Sequence, residues 1–262
     1  MAYIECEHLE FFKAALNMPD LGEQAISKVA EVGISSQLDE VEDINVDIRT
    51  DPLKVMQGQV DSVEIEGEGM VMQKDLRMEE MRIKTGSIAI NPLSIAFGKI
   101  ELQQPTEAEA HVVLTAEDMN RAFNSDFIRE KLQNLPVTID GQQTTVDAQQ
   151  VGFCLPGDGK FAISAAIKLQ NSGEVKQVAF TATPQVVEGG QRIALEDVQY
   201  SEGEGLSPEL SNALLEQASS LLDLRNFELE GMSLRVKQLD VQEGRLTLEA
   251  NAHVEQFPSG DS

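Results

Sequence analysis

The residues whose chemistry stands out in this sequence are methionines on segments that alternate between apolar and polar side chains. They lie in, or just before, an extended stretch from residue 58 to 114, and they are Met56, Met70, Met72, Met78 and Met81. Methionine is flexible and fills irregular apolar spaces, so a β surface rich in it can line a cavity for a variable apolar ligand. The chemistry predicted is non-covalent binding. Methionines at strand spacing also occur in ordinary cores, and that interpretation stays open.

Groups suited to catalysis or metal binding are scattered along the chain. His8, His111 and His253 are isolated, and Cys6 and Cys154 lie far apart, so neither a metal-ligand spacing nor a disulfide framework can be read. The carboxylates lack the loop spacing of a calcium site, and no serine lies in a nucleophile motif. The sequence therefore predicts no catalytic residues, no metal site and no resident cofactor.

The charge of the chain limits its partners. The 262 residues include 45 acidic and 20 basic side chains, which gives a formal charge of -25. Nucleic acid is excluded as a partner, and an anionic membrane surface would repel most of the molecule. A basic protein partner fits this charge, whereas contact with a membrane would be transient and peripheral.

The amino terminus lacks the pattern of an export signal. Glu5, Glu7 and Glu10 stand where a secretory signal has basic residues followed by an apolar run. We therefore expect a cytoplasmic protein in a reducing compartment. A short amphipathic patch follows, made of Leu9, Phe11, Phe12 and Leu16 with Lys13. We expect it to pack on the body or on a partner helix, with insertion into a membrane as the alternative.

Three helices are predicted, over residues 21–38, 116–135 and 208–224. Apolar side chains recur there with the helical period, and acidic or amide residues occupy the other face. A start signal precedes each helix: Asp20 before Glu23, Thr115 before Asp118, and Ser207 before Pro208 and Glu209. The helices are therefore amphipathic, and each must pack its apolar side against another element.

Almost everything else alternates with the period of a β-strand. Turn signals separate the strands, at Gly67-Glu68-Gly69, Asp140-Gly141, Asp158-Gly159, Gly189-Gly190 and Glu243-Gly244. The links are too short for parallel crossovers, which predicts an α+β fold with a long curved antiparallel β-sheet wrapped around amphipathic helices. We expect an arm over residues 1–19, one domain over 20–257 and a polar tail over 258–262.

Four stretches of the chain resemble a known family. They are DLGEQAIS at 20–27, GQVDSVEIEGEGMV at 58–71, GKIEL at 98–102 with Pro105 and Thr106, and LTAEDMNRA at 114–122. In these residues the chain resembles the bacterial LmeA family of phospholipid-binding proteins, over about residues 20–254. The resemblance implies a fold similar to tubular lipid-binding proteins, with acyl chains in an apolar tunnel. The acidic, signal-free chain is more similar to the cyanobacterial members than to the exported mycobacterial ones.

These observations lead to one hypothesis and one alternative. The hypothesis is a non-enzymatic protein that holds or carries a glycerophospholipid, or another glycerolipid such as a glycolipid, in an internal apolar groove between the first helix and the methionine-bearing strands. The residues predicted to line the groove are Ile26, Val29, Ala30, Ile34, Val63, Ile65, Met70, Met72, Met78, Met81 and Ile83. We expect Met70 and Met72 to share one strand face, and Met81 and Ile83 to share another. The alternative is an acidic protein-interaction module of the same fold, with a filled core and a basic partner.

Overall fold

The computed structural model of the protein describes residues 23–35, 38–51, 53–54, 57–72, 74–91, 102–139, 141–201, 208–222 and 232–255. The predicted arm and tail, the patch at residues 9–16, Cys6, Asp20 and Ser207 lie outside these residues. Within them, four helices and one 3₁₀ turn accompany thirteen strands. The helices are α1 (Glu23–Ser35), α2 (Ala116–Asn124), α3 (Asp126–Lys131) and α4 (Pro208–Leu221), and the 3₁₀ turn spans Glu188–Gly190.

The strands range from 2 residues in the shortest to 16 in the longest, and most are joined as hairpins. They are β1 (Asp43–Arg49), β2 (Gln59–Val60), β3 (Ser62–Met72), β4 (Leu76–Thr85), β5 (Ile88–Ala89), β6 (Thr106–Thr115), β7 (Leu135–Ile139), β8 (Gln142–Gly157), β9 (Lys160–Leu169), β10 (Val175–Val187), β11 (Arg192–Tyr200), β12 (Met232–Gln242) and β13 (Arg245–Val254).

All strand pairs are antiparallel, and the longer strands form two sheets. Sheet 1 has the order β1-β3-β4-β6-β13-β12, and sheet 2 has the order β11-β10-β9-β8-β7. Strands β2 and β5 form a separate pair. The predicted class, with curved antiparallel strands and few helices, is confirmed. The division into two sheets goes beyond the prediction of one long sheet.

Sheet 2 curls around helix α4. This helix contacts both β7 and β11, the two edge strands of the sheet. The Tyr200 hydroxyl donates to the carbonyl of Ser211 at 3.1 Å, and the Ile193 N–H donates to the carbonyl of Leu222 at 3.1 Å. The side chains of Leu210 and Ala213 are buried. The third predicted helix therefore fills the inside of sheet 2.

Helix α2 closes the exposed edge of the long strand β8. Strand β7 pairs with β8 only as far as Val146, and no other strand of the described residues pairs with the rest of that edge. Asn120 bonds both backbone groups of Phe153, at 2.7 and 2.8 Å, and Asn124 donates to the carbonyl of Val151 at 2.7 Å. Two amides one helical turn apart thus replace a neighbouring strand.

The two sheets meet along strand β12. A core cluster of Phe153, Leu155, Phe161 and Ala182 from sheet 2 includes Val241 of β12. At the same junction, Gly190 lies against the backbone of Val236, where an added Cβ would be 2.3 Å from the carbonyl oxygen. The Gly244 N–H donates to the carbonyl of Leu155 at 2.9 Å. Backbone contacts and apolar packing both hold the sheets together here.

The second predicted helix is wrong in its extent. Its capping box is confirmed, because Thr115 and Asp118 exchange side-chain and backbone hydrogen bonds. The predicted helix over 116–135 breaks at Ser125, whose backbone is extended and whose hydroxyl caps α3 by accepting from the Ile128 N–H at 3.2 Å. Residue 135 already belongs to β7. A serine inside an apolar periodic run can start a new helix, and the period alone does not distinguish the two cases.

Candidate functional site

Sheet 1 has one apolar face and one charged face. The strand register brings the apolar positions of all six strands to the same side. The central members of this apolar face are Val46, Ile48, Val63, Ile65, Met81, Ile83, Ala108, Ala110, Val112, Leu248, Ala250 and Ala252. A sheet with this pattern must cover its apolar face with protein atoms or with a ligand.

The opposite face of sheet 1 is charged and faces water. Cross-strand ion pairs join Arg82 to Glu66 at 2.6 Å and Lys237 to Glu109 at 2.9 Å. The Lys237 ammonium lowers the pKa of the exposed Glu109 carboxyl by hydrogen bonding. Each exposed pair contributes little to stability, and together they show which side of the sheet is solvated.

One line of residues crosses the whole apolar face at right angles to the strands. It takes one residue from each strand in register: Ile44, Gly67, Met81, Val112, Leu248 and Leu239. We call this line the transverse row. Its five side chains are only partly buried, so part of each one is accessible to solvent. Five strand spacings of about 4.8 Å give the row a length of about 24 Å.

The strand residues of the predicted groove divide into two groups. Val63, Ile65, Met81 and Ile83 lie together on the apolar face, and all four are partly buried. Met72 is 41% exposed, and Met78 lies directly opposite Met70 on the neighbouring strand.

Met70 differs from its predicted neighbours, because it is only 1% exposed and packs against protein atoms. Its sulfur occupies the place where a side chain of residue 67 would stand, 2.1 Å from an added Cβ. Since Gly67 pairs with Met81, the Met70 side chain lies on the face of Met81. Gly69 has a φ of +58°, outside the normal range of a strand. This φ redirects the backbone just before Met70 and so turns the Met70 side chain towards Gly67.

The predicted turn at Gly67-Glu68-Gly69 is wrong. These residues lie inside β3, and the chain reverses only after Met72. The two glycines serve side-chain placement instead. Gly67 makes room for the Met70 side chain, and Gly69 allows the backbone to turn Met70 towards that room.

The predicted residues of the first helix lie on α1, which packs on β1. Ala30 and Ile34 are partly buried. Ile26 and Val29 belong to α1, and their side chains lie outside the described part of the structure. The buried hydroxyl of Ser27 accepts a hydrogen bond from the Ile48 N–H at 3.0 Å. This bond fixes the helix beside the first strand of sheet 1.

An open groove lies between the last turns of α1 and the start of β1. Its volume is about 490 Å³, and its walls are Lys28, Glu31, Val32 and Ser35 from the helix with Val41, Glu42, Asp43 and Ile44 from the strand side. We call it the α1–β1 groove. Val32 is 58% exposed there. Because Ile44 also begins the transverse row, the groove opens directly onto one end of that row.

Arg77 holds the hairpin of β3 and β4 against two other elements. Its guanidinium bonds Glu79 at 2.7 Å, Asp118 at the start of α2 at 2.9 Å, and Glu42 just before β1 at 2.9 Å. The hydrogen bonds to Glu79, Glu42 and Asp118 raise the pKa of Arg77 above its ordinary value. The charge on Arg77 is therefore permanent, and it fixes the methionine-bearing end of sheet 1 in place.

Four residues of the transverse row were missed by the sequence interpretation: Ile44, Val112, Leu248 and Leu239. Each is an apolar position in an alternating segment, and this alternation was the only local pattern that could have predicted its place on the apolar face. Their assembly depends on pairing between distant strands, for example between Val112 and Leu248. Among the residues that the structure describes, no three His, Cys, Asp or Glu side chains come together as a metal site.

A curled antiparallel fold with a partly exposed apolar sheet face is typical of a protein that binds an apolar or amphipathic ligand. The sequence matches the LmeA-like phospholipid-binding family over residues 19–251, and the chain belongs to this family. The resemblance seen in the sequence is thereby confirmed. Comparison with curated proteins gives no match. None of the described helices is long and apolar enough to cross a bilayer.

Proposed function

We propose that the protein binds a glycerophospholipid or a related glycerolipid and holds an acyl chain along the transverse row of sheet 1. Membership of a phospholipid-binding family supports lipid binding. The observation that carries the location is the row itself, since it crosses six strands and keeps its apolar side chains partly exposed. The function is binding or carriage, without chemical conversion of the lipid.

The dimensions of the row agree with an acyl chain. A bilayer core about 30 Å thick contains two layers of chains, so one chain spans about 15 Å. The row, at about 24 Å, is long enough for one such chain. Moving about fifteen methylenes from water to an apolar surface contributes on the order of 10 kcal/mol before ordering costs. Binding of this kind needs no charged anchor.

The predicted lining residues enter the proposal in different ways. Val63, Ile65, Met81 and Ile83 form the surface on which the chain lies, and Ala30 and Ile34 of α1 border it. Met70 occupies the side-chain place at Gly67 within the row and is itself buried there. A role for Ile26, Val29, Met72 and Met78 at the border of the same surface remains part of the proposal.

Lipid bound to the purified full-length protein provides the first test. We expect mass spectrometry of an organic-solvent extract to detect glycerolipid, and we expect the delipidated protein to take up phospholipid from vesicles. Absence of lipid in the extract, together with no uptake from vesicles, would overturn the proposal.

A matched pair of substitutions locates the binding surface. Met81→Trp places a large ring on the row and should reduce lipid uptake at least about tenfold, because it occupies the space of the acyl chain. Arg82→Trp adds the same ring to the next residue, on the charged face, and should leave uptake unchanged. Circular dichroism and thermal unfolding check that both variants fold. Equal uptake by the two variants would mean that the lipid lies elsewhere.

One observation favours the alternative of a protein-binding surface. Asp43, Glu68 and Glu80 lie side by side on three adjacent strands, and like charges in direct register oppose pairing. A basic protein segment on this charged face would relieve the repulsion. This function predicts a complex that weakens steeply between 0.05 and about 0.5 M salt, whereas acyl-chain binding should resist salt.

A further inference from the structure

We infer that Met70 marks the end of the acyl-chain site on sheet 1, and that it sets the number of methylenes that one chain can place on the apolar face. This inference rests on the proposed function, since it presupposes that the chain lies along the transverse row. It assigns chain-length specificity to one residue.

Met70 interrupts the transverse row. In the strand register, Gly67 lies between Ile44 of β1 and Met81 of β4. Gly67 has no side chain, and the sulfur of Met70 occupies the place where one would stand. Met70 is only 1% exposed, so this place is both filled and enclosed. An acyl chain that lies on Met81 therefore cannot continue along the row to Ile44.

The backbone of β3 holds Met70 in this position. The positive φ of Gly69 turns the strand just before Met70, and the flexible thioether then reaches back to Gly67. Glycine weakens the interior of a strand, so the pairing of β3 alone would be better served by other residues. The two glycines therefore indicate that the place of the Met70 side chain is specified by the sequence.

The rest of the row is closed at its far end. It runs over four adjacent strands through Met81, Val112, Leu248 and Leu239, which are all partly buried. Leu239 packs on the apolar core cluster at the junction with sheet 2. This apolar end suits the terminal methyl of a chain. The polar part of the lipid must stay in water, so the chain leaves the sheet beside Met70.

The part of the row between Leu239 and Met70 corresponds to a definite chain length. Three strand spacings of about 4.8 Å give it a length of about 14 Å. A methylene in an extended chain advances about 1.25 Å, from a carbon–carbon bond of about 1.5 Å and a bond angle of about 111°. About twelve carbons, counted from the terminal methyl, therefore fit on this part of the row. Further carbons leave the sheet and gain no apolar contact with it.

The experiment measures equilibrium binding of monoacyl phosphatidylcholines to the delipidated full-length protein. The lipids carry chains of about 10 to 18 carbons, so that only the number of methylenes changes, and each is used below the concentration at which it forms micelles. We expect the affinity of the native protein to rise about twofold per methylene, about half of the full transfer effect on a logarithmic scale because the sheet covers one side of the chain. The rise should level off near about twelve carbons.

Met70→Ala removes the obstacle. It deletes the sulfur and the two carbons beside it, and it opens the place at Gly67, which adds one strand spacing or about four methylenes. The affinity should then rise up to about sixteen carbons, where the variant should bind about tenfold more tightly than the native protein. Met70→Val removes less of the side chain and should give a limit between these two lengths.

Val71→Ala is the matched control. Val71 is the next residue of β3 and is also 1% exposed, but it lies outside the transverse row. Its truncation removes a buried side chain and should leave the chain-length limit where it is in the native protein. Circular dichroism and thermal unfolding check that each variant folds, and Met70→Val supplies the comparison if Met70→Ala does not.

The outcomes separate the two proposals. No binding of any of these lipids by the native protein would overturn the proposed function. A native affinity that rises steadily to the longest chain would overturn only the inference about Met70. The same holds for a limit that the Met70 variants leave unchanged, and for equal shifts in Met70→Ala and Val71→Ala, which would assign the effect to loosened packing.

Discussion

Sheets 1 and 2 are both antiparallel, but they differ in how far their apolar faces are buried. Sheet 2 closes around α4, and its interior residues, such as Val146 and Ile167, are almost fully buried. Stacked or edge-on rings join Phe123, Phe153, Phe161 and Phe180, with centroids 5.7–6.3 Å apart. Sheet 1 leaves the middle of its apolar face partly exposed along the transverse row. The difference shows that sheet 2 is the more fully packed of the two, and it leaves sheet 1 as the surface on which we propose that the lipid binds.

Truncating one isoleucine in each sheet is the strongest test of whether sheet 2 is packed more tightly than sheet 1. Ile167→Ala in sheet 2 should lower the free energy of unfolding by about 4 kcal/mol, because the buried side chain leaves a cavity. Ile83→Ala on the apolar face of sheet 1 should cost about 1 kcal/mol, since that side chain is partly exposed already. Urea unfolding at pH 7 measures both values. Equal costs would mean that sheet 1 is packed as tightly as sheet 2.

The junction between the sheets gives the next largest effect. Gly190 has a φ of +92°, and an added Cβ would meet the carbonyl of Val236 in sheet 1, so Gly190→Ala should cost about 3 kcal/mol. Gly189→Ala is the control: its φ is +65°, but no atom of the described residues lies within 4 Å of its Cβ position, and the substitution should cost about 1 kcal/mol. Thermal unfolding of the two variants checks the difference. A similar loss in both would assign the whole effect to backbone strain and not to sheet contact.

The smallest effect concerns the contact of sheet 2 with α4. Tyr200→Phe removes the hydrogen bond to the Ser211 carbonyl and should cost about 1 kcal/mol at pH 7. Burial raises the pKa of Tyr200, so the unfolded chain, with a tyrosine pKa of about 10, ionises first as the pH rises. The contribution of Tyr200 is present below pH 10 and is lost above it.

The loss of folding stability at alkaline pH therefore reports on the ionisation of Tyr200. Between about pH 9 and 11, the Tyr200→Phe variant should lose less stability than the native protein. Urea midpoints at several pH values measure this slope. Parallel curves would show that Tyr200 ionises equally easily in the folded and unfolded chains.

Local patterns predicted much of the fold. Alternating apolar positions predicted the strands, Thr115 and Asp118 predicted a helix start, and the Glu243-Gly244 signal predicted the β12–β13 hairpin. Local patterns failed where the same residue type is compatible with two different local structures. Ser125 can continue a helix or start one, and Gly67 and Gly69 can form a turn or admit a side chain within a strand.

The candidate site was predictable only in part, because it is assembled from distant strands. The alternation predicted that Met81 and Ile83 share a face, and the register adds Val63 and Ile65 to that face. The transverse row also needs Ile44 paired with Gly67, and Val112 paired with Leu248. A shift of one residue in any of these pairings would turn a strand over, and no local pattern fixes such a pairing.

The hydrogen bond from the Ile48 N–H to Ser27 also bears on aggregation. Strand β1 is an edge of sheet 1, and an edge with unpaired backbone groups can recruit a strand from another molecule. Helix α1 occupies this edge, while β12, the opposite edge, packs against sheet 2. Both margins of sheet 1 thus have another element packed on them, which opposes pairing with a strand of a second molecule and leaves the apolar face free for the binding that we propose.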